Sequence, residues 1–544
     1  MSETLATALL HALKDRGADR IFGIPGDFVL PFFRVMAESE ILPWHTLSHE
    51  PAVGYAADAV GRISCTLGVA VVTYGAGALN MVNAVAQAYA EKSPLVVISG
   101  GPGAEEGALG LGLHHQVKTL NSQFEIFREL TCAQSILNDL TTAPGEIARI
   151  LDAARSLSRP VYIEIPRDLV NMPCAPVPAF APPPPNHDAA RACAREVISR
   201  LAAAKSPAVL VGVEARRYGL EDKIAGLCRI LGISVATSFM GRGLFVGKEL
   251  PLIGTYLGSA GDAHIARTME NADCLLMLGV IVSDTNFGVS GRNIDMRASI
   301  RALDRTVVFG HHLYPEVSLE ELIDALTELA APLGHAAPRP LRDYATGLPE
   351  DSTPLEPSHI AIAINDLFRA HGPMPIAADI GDCLFTALEI SDTIFVAPGY
   401  YASMGMGVPA GLALSAVTGK RPIVLVGDGA FQMTGWEVGN CQKYGWAPIV
   451  IVFNNRSWEM LRGFQPGQVY HDLDDWHYAD IAPSLGGRGI RVRTCVELKQ
   501  ALDMAMADDS VFQLIEVMLP RGKTSDSLSR FTHAIREISA MKDE

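Results

Sequence analysis

The chain has 544 residues, 49% of them hydrophobic and 19% charged, with a formal net charge of -16. At about 150 residues per domain this length suggests three or four domains, or three somewhat large ones, in a chain apolar enough to bury several cores, which excludes a disordered or fibrous protein. The acidic balance argues against general nucleic-acid binding and against docking on an anionic membrane, since both need a basic face.

In chain order, the opening run MSETLATALLHALKDRG spreads charges among Leu5, Leu9 and Leu13. That pattern predicts an amphipathic helix without the basic start of a signal peptide, so a cytoplasmic protein is expected. Nine cysteines form no CxxC pair and no zinc-spaced set, and they read as reduced thiols. The uncharged stretch from Ile63 to Ala90 has the length of a membrane span. It also contains Thr73, Gly75, Gly77, Asn80, Asn83 and Gln87, and a strand, a glycine turn and a small-residue helix explain it better. No membrane partner is expected.

Short β-branched runs then alternate with helical stretches, the signature of parallel sheets covered on both faces. Strands are predicted at 69–74, 94–99 and 160–165, then at 208–213, 233–239 and 274–280, and finally at 375–380, 422–429, 448–455 and 512–519. A proline-rich stretch at 173–188 and a polar, proline-bearing one at 331–358 read as linkers. The expectation is an α/β chain of three doubly wound parallel-sheet domains, at 1–175, 188–335 and 355–544.

Gly427, Asp428 and Gly429 end one predicted strand, a run suited to a crossover helix follows, and the next strand ends in Asn454 and Asn455. Neighbouring parallel strands open on the same carboxyl edge, where α/β sheets bind ligands, so Asp428 and Asn455 can converge there. A carboxylate with an amide oxygen is a hard, all-oxygen set suited to Mg²⁺ when a diphosphate completes the shell. Gly429 and Ala430 would offer backbone N–H groups to the same phosphates from the helix start. Gly-Asp-Gly alone is an ordinary turn; the pair at adjacent strand ends is far more specific.

With this motif the sequence resembles the thiamine diphosphate-dependent 2-keto acid decarboxylases, most closely the bacterial phenylpyruvate and indolepyruvate enzymes. The resemblance spans essentially the whole chain and implies a pyrimidine-binding domain first, a middle domain and a diphosphate-binding domain last. It implies that Asp428, Asn455 and the carbonyl of Ser457 ligate Mg²⁺ beside the cofactor, with Gly427 in the same motif. Glu50, in SHEPAVGYAADAVGR, would otherwise be a first-turn acid favoured by the helix dipole. The resemblance makes it the carboxyl that exchanges a proton with N1′ of the aminopyrimidine, so that a ylide forms and attacks the keto carbon.

Asp27 in GIPGDF and the pair His114 and His115 in LGLHHQ would by themselves be turn and loop residues. The resemblance makes them the proton-handling set, and acetohydroxyacid synthases and pyruvate oxidases generally lack the His pair. It further implies that Met404 wedges between the cofactor rings, that the Ala402 carbonyl and Met404 N–H bind the pyrimidine edge, and that Thr73 borders the site. Gly381 and Asp382 match the segment near the diphosphate, although many relatives carry a hydroxyl residue at the second position. His311 and His312 match no motif and are left structural.

One departure concerns the substrate. Where pyruvate decarboxylases place a Glu on the helix after the Asn pair, this chain has Leu461; Glu459, two residues earlier, should face elsewhere. A pocket lined by Thr73, Met404 and Leu461 would be more apolar on the substrate side and favours an aromatic 2-keto acid. Asp284, in VSDTNF, is the expected stand-in for the missing carboxylate. The expected reaction is non-oxidative decarboxylation of phenylpyruvate or indole-3-pyruvate to the aldehyde and CO₂, by a homodimer at least and a homotetramer in full. The alternatives are a branched-chain keto acid decarboxylase, a carboligase of the acetohydroxyacid synthase type or a flavin-dependent oxidase, and a protein that binds the cofactor without turnover. A nicotinamide dehydrogenase is disfavoured because no GxGxxG follows a strand.

Overall fold

The computed structural model describes residues 3–108, 110–288, 293–333 and 343–543. Nineteen strands form three sheets among these residues. The first sheet contains β1 (Ile21–Gly23), β2 (Trp44–Thr46), β3 (Gly68–Val72), β4 (Leu95–Gly101), β5 (Ala133–Ile136) and β6 (Val161–Pro166). They lie in the order β2-β1-β3-β4-β6-β5, all parallel. The runs Val69–Val72 and Leu95–Ile98 are buried throughout, as strands covered by helices on both faces must be.

The middle sheet contains β7 (Pro207–Val211), β8 (Ser234–Ser238), β9 (Leu252–Tyr256), β10 (Cys274–Leu278), β11 (Ile300–Leu303), β12 (Thr306–Phe309) and β13 (His312–Pro315). It departs from a purely parallel sheet, because β11, β12 and β13 pair antiparallel at one edge. The cause is local: Asp304 and Arg305 both take left-handed backbone angles, which makes a tight two-residue hairpin. His311 and His312 belong to the second hairpin, where His312 Nδ1 lies 3.0 Å from Glu196 Oε2.

The third sheet contains β14 (Ile376–Ala378), β15 (Phe395–Val396), β16 (Ile423–Gly427), β17 (Ile449–Asn454), β18 (Arg488–Val492) and β19 (Gln513–Met518). Its order is β15-β14-β16-β17-β19-β18, again all parallel. The first and third sheets therefore share one winding scheme. In each, the first strand passes to a neighbour on one side and the chain then crosses to the other, leaving a switch point at the carboxyl ends of β1/β3 and of β14/β16. Such switch points are the crevices in which open α/β sheets bind ligands.

The chain divides into two compact units, Met1–Pro183 with Leu412–Thr418, and Pro184–Gly411 with Gly419–Glu544. Residues 174–186 carry no regular element, and the next helix starts at His187, capped by the Asn186 side chain. Of the second proposed linker, 334–342 lies outside the described residues. The stretch from Ile63 to Ala90 contains β3 and the helices Ala76–Asn80 and Val82–Ala90. No helix among the described residues is long and apolar enough to cross a membrane. The expected single helix after Gly429 is broken into Asp428–Thr434, a 3₁₀ segment Gly435–Asn440 and Cys441–Tyr444. Gly435 and Gly439 weaken the helix there, and tertiary contacts decide its course.

Candidate functional site

Sequence-predicted site residues gather at the switch points of the first and third sheets. In the first unit, Asp27 lies on the turn after β1, Thr73 directly follows β3, and Glu50 opens the helix Glu50–Ile63 with Pro51 next to it. The turn is tight because Gly26 has no side chain: a Cβ there would lie 2.5 Å from Thr73 Cβ. Gly77 is similarly close, its Cβ position being 3.0 Å from Thr73 Cγ2 and 3.7 Å from Glu50 Oε1. Glu50 Oε2 accepts a hydrogen bond from Asn80 Nδ2 at 2.9 Å. The Thr73 hydroxyl is buried with no hydrogen-bond partner, which leaves a donor and acceptor for a ligand.

The two histidines come from the loop before the helix Ser122–Arg128. His114 Nε2 is 2.5 Å from Asp27 Oδ2, His115 Nε2 is 3.7 Å from Asp27 Oδ1, and Arg167 Nη1 is 4.0 Å from Asp27 Oδ2. The Phe28 ring stacks on His114 with centroids 4.8 Å apart. Burial works to raise the Asp27 carboxyl, but the His114 hydrogen bond and the imidazole charges outweigh it and hold the group below its ordinary value. The ligand atoms of Asp27, His114 and His115 all lie within 4.8 Å of one another, a spacing that could also admit a cation. The His114 hydrogen bond makes the cluster foremost a carboxylate and imidazole pair, groups of the kind that carry protons in catalysis.

In the second unit a cavity of about 340 Å³ opens at the switch point of the third sheet. Gly381, Asp382, Ala402, Met404, Gly427, Asp428, Gly429, Ala430, Asn455, Ser457 and Leu461, all singled out from the sequence, line it. Asp428 follows β16 and Asn455 follows β17, and the parallel register Gly427 to Phe453 brings the two strand ends level. Asp428 Oδ1 accepts from the Gly429 N–H at 2.8 Å and Oδ2 from the Ser457 N–H at 3.4 Å. Burial pushes its carboxyl up to about 7, against the backbone N–H groups around it. Asn455 Oδ1 is buried and has no hydrogen-bond partner. A buried carboxyl that resists ionisation beside an orphaned amide oxygen fits a divalent cation, which would stabilise the charge and take up the lone pair.

The glycines of the cavity serve different ends. A Cβ on Gly427 or on Gly381, which has φ +115°, would meet nothing within 4 Å, so both present bare backbone to open space. Gly429 is required by packing, since a Cβ there would fall 2.3 Å from the Trp458 ring. Met404 is half-buried, on a segment where Ala402 has φ +61°.

That segment is held by Asp379, which the sequence reading missed. Its wholly buried carboxylate accepts from the N–H groups of Gly405 at 3.0 Å and of Gly407 at 2.6 Å, while Thr434 Oγ1 donates to the Gly405 carbonyl at 2.7 Å. The available signal was its place at a predicted strand end, two residues before Gly381, the same logic that located Asp428. Burial raises Asp379 to about 6 and Asp382 to about 7. Asp382 is not free for a ligand in this arrangement: its carboxylate accepts from the Ser525 N–H at 3.0 Å and from Ser525 Oγ at 2.5 Å.

Glu459 and Leu461 both line the cavity, although the helix geometry suggested different faces for them. Glu459 is buried and accepts from the Gly522 N–H at 2.8 Å, whereas Leu461 is 49% exposed. The short helix Glu459–Phe464 starts at the cavity, so its first turn and its side face it together. Asp284 is exposed, accepts from the Thr285 N–H at 2.7 Å, and is not among the residues lining the cavity.

Comparison with known proteins adds to this geometry. Residues 3–126 match the family described as thiamine pyrophosphate enzyme, N-terminal TPP binding domain; residues 194–307 match the central domain and residues 379–517 the C-terminal TPP binding domain. The chain is 57% identical over 543 residues to an indole-3-pyruvate decarboxylase of Azospirillum brasilense, covering 99% of this chain and 100% of the relative. It is 29% identical to an alpha-keto-acid decarboxylase of Mycolicibacterium paratuberculosis, covering 95% and 94% of the two chains. To a pyruvate decarboxylase of Hanseniaspora uvarum it is 27% identical, with 100% of each covered.

Proposed function

Because the chain belongs to the thiamine diphosphate-dependent 2-keto acid decarboxylases, we propose that it decarboxylates an aromatic 2-keto acid, indole-3-pyruvate or phenylpyruvate, to the aldehyde. When bound, thiamine diphosphate supplies the electron sink that the departing CO₂ requires and that no side chain provides. Asp428, Asn455 and the Ser457 carbonyl would hold Mg²⁺ beside the diphosphate. Gly381, Gly427, Gly429 and Ala430 offer backbone to the same group. Ala402 and Met404 would hold the pyrimidine edge through their backbone, and the Met404 side chain, which lines the cavity, would pack against the cofactor.

Glu50 gives and takes a proton at the pyrimidine N1′. Asp27 and His114, hydrogen-bonded to each other, act with His115 to deliver a proton to the carbon that loses CO₂. Thr73 offers its unpartnered hydroxyl at the edge of that set. The observation that carries the substrate class is Leu461: an apolar, half-exposed side chain on the cavity rim leaves room and low polarity for an aromatic group. The printed name of the relative from Azospirillum brasilense supports the same class. The functional division would follow 1–175, 188–335 and 355–544, and the enzyme would assemble as a homodimer at least, in full a homotetramer.

The test is an aldehyde-coupled assay over indole-3-pyruvate, phenylpyruvate, branched-chain keto acids and pyruvate, with Mg²⁺ and thiamine diphosphate present or withheld. Turnover of the aromatic acids that depends on both additions is expected. Preference for pyruvate would remove the Leu461 argument, and preference for branched-chain acids would move the enzyme to that class.

A further inference from the structure

A buried polar chain runs beneath the histidine loop and enters none of the roles above. Gln123, Tyr162 and Glu164 are almost wholly shielded from solvent. Gln123 Oε1 accepts from the Gly75 N–H at 2.6 Å. The other end of the same amide donates to Tyr162 Oη at 2.5 Å and to Ser99 Oγ at 3.0 Å. The Tyr162 hydroxyl in turn donates to Glu164 Oε2 at 2.7 Å. Phe127 stacks on the Tyr162 ring with centroids 4.5 Å apart, which fixes its plane. Each bond in the chain therefore has its donor and acceptor matched, the condition under which a buried polar network rigidifies its surroundings.

What it holds is the turn that carries Thr73 and supports His115. Gly75 has φ +65°, and a Cβ there would lie 2.1 Å from the His115 carbonyl oxygen. The Gly75 backbone is thus pressed directly against that of His115. One residue earlier, the Tyr74 hydroxyl donates to the Leu120 carbonyl at 2.7 Å, so the turn and the histidine loop are joined at a second point.

We propose that Gln123 is a positioning residue for decarboxylation, and that the chain from Glu164 through Tyr162 and the Gln123 amide to Gly75 sets the placement of His115 and Thr73. The inference rests on the decarboxylase reading for its kinetic consequence, and on the Gly75 hydrogen bond for its structural one. Displacing a proton-transferring group by an ångström costs about a hundredfold in rate, so the network bears on turnover without touching substrate.

The experiment uses the full-length enzyme loaded with Mg²⁺ and thiamine diphosphate and compares wild type with Gln123→Met and Tyr162→Phe. Hydrogen exchange read by mass spectrometry is followed in peptides covering residues 73–76 and 113–118, alongside kcat, KM and cofactor affinity. Gln123→Met is expected to speed exchange at Gly75 about tenfold and to lower kcat about 10- to 100-fold, with KM changed less than about threefold and cofactor affinity unchanged. Tyr162→Phe keeps the Gly75 bond and should cost kcat about threefold. If Gln123→Met does not fold, Gln123→Asn, one methylene shorter, tests the same bond.

Faster exchange at Gly75 with unchanged kcat would reduce the network to a structural role and overturn the proposal, as would unchanged exchange. If wild type itself turns over no 2-keto acid, the decarboxylase reading has failed. The exchange result then still decides whether Gln123 holds the turn.

Discussion

The first and third sheets wind in the same order, and each brings functional side chains to the same topological switch point, yet the two crevices differ in kind. At β1/β3 Asp27 and His114 are exposed and pair with each other: His114 is 60% and Asp27 40% exposed, and they meet at 2.5 Å. At β14/β16 the carboxyls of Asp379, Asp382 and Asp428 are buried and pushed up to about 6 or 7. Winding order decides where a crevice forms; burial decides what it can do. Hydrated groups in mutual contact exchange protons readily, while burial makes a carboxyl harder to ionise and a bound positive charge favours its ionised form.

Four substitutions break or sharpen this contrast. The largest effect belongs to Asp428→Ala, which takes the only carboxylate from the proposed cation set. Turnover should fall at least about a thousandfold, and Mg²⁺-dependent cofactor binding, followed by quenching of tryptophan fluorescence, should vanish. Glu50→Gln touches the other crevice. It should retain cofactor binding in the same titration and lose about a hundredfold in kcat, because an amide cannot relay the N1′ proton.

Glu164→Gln tests burial by way of pH. Burial raises the Glu164 carboxyl to about 7, above its ordinary value, so the folded state binds this proton more tightly than the unfolded chain. Its contribution to stability is full below the unfolded value and is lost as pH rises towards 7, a change of up to about 3 kcal/mol. The variant should therefore lose less melting temperature than wild type between pH 5 and pH 8, as differential scanning fluorimetry will read. An equal loss in both would show that Glu164 does not titrate in that window. Leu461→Glu has the smallest expected effect, a shift of about tenfold in the ratio of kcat/KM for pyruvate over indole-3-pyruvate.

The strands were legible because parallel strands buried on both faces read as unbroken β-branched runs, and the Asp428 and Asn455 pair was legible because it sits where such runs end. Long-range pairing was not. The antiparallel edge of the middle sheet depends on two left-handed residues, Asp304 and Arg305, neither of them a glycine. Asp379 and Gln123 act on backbone 26 and 48 residues away in sequence, a separation that no local pattern encodes. Asp284 was chosen from its place near a strand end, but its carboxylate turns back onto Thr285. The shared order of the first and third sheets was likewise invisible, because strand order is a property of crossovers and not of the strands themselves.

The most direct test of the central claim is the stoichiometry of one reaction. Wild-type enzyme with Mg²⁺ and thiamine diphosphate is given indole-3-pyruvate in a sealed cell, and CO₂, indole-3-acetaldehyde and dissolved oxygen are followed together. Equal amounts of CO₂ and aldehyde with no oxygen uptake are expected. Oxygen consumption, a coupled carbon–carbon product in place of the aldehyde, or no CO₂ at all would contradict the account.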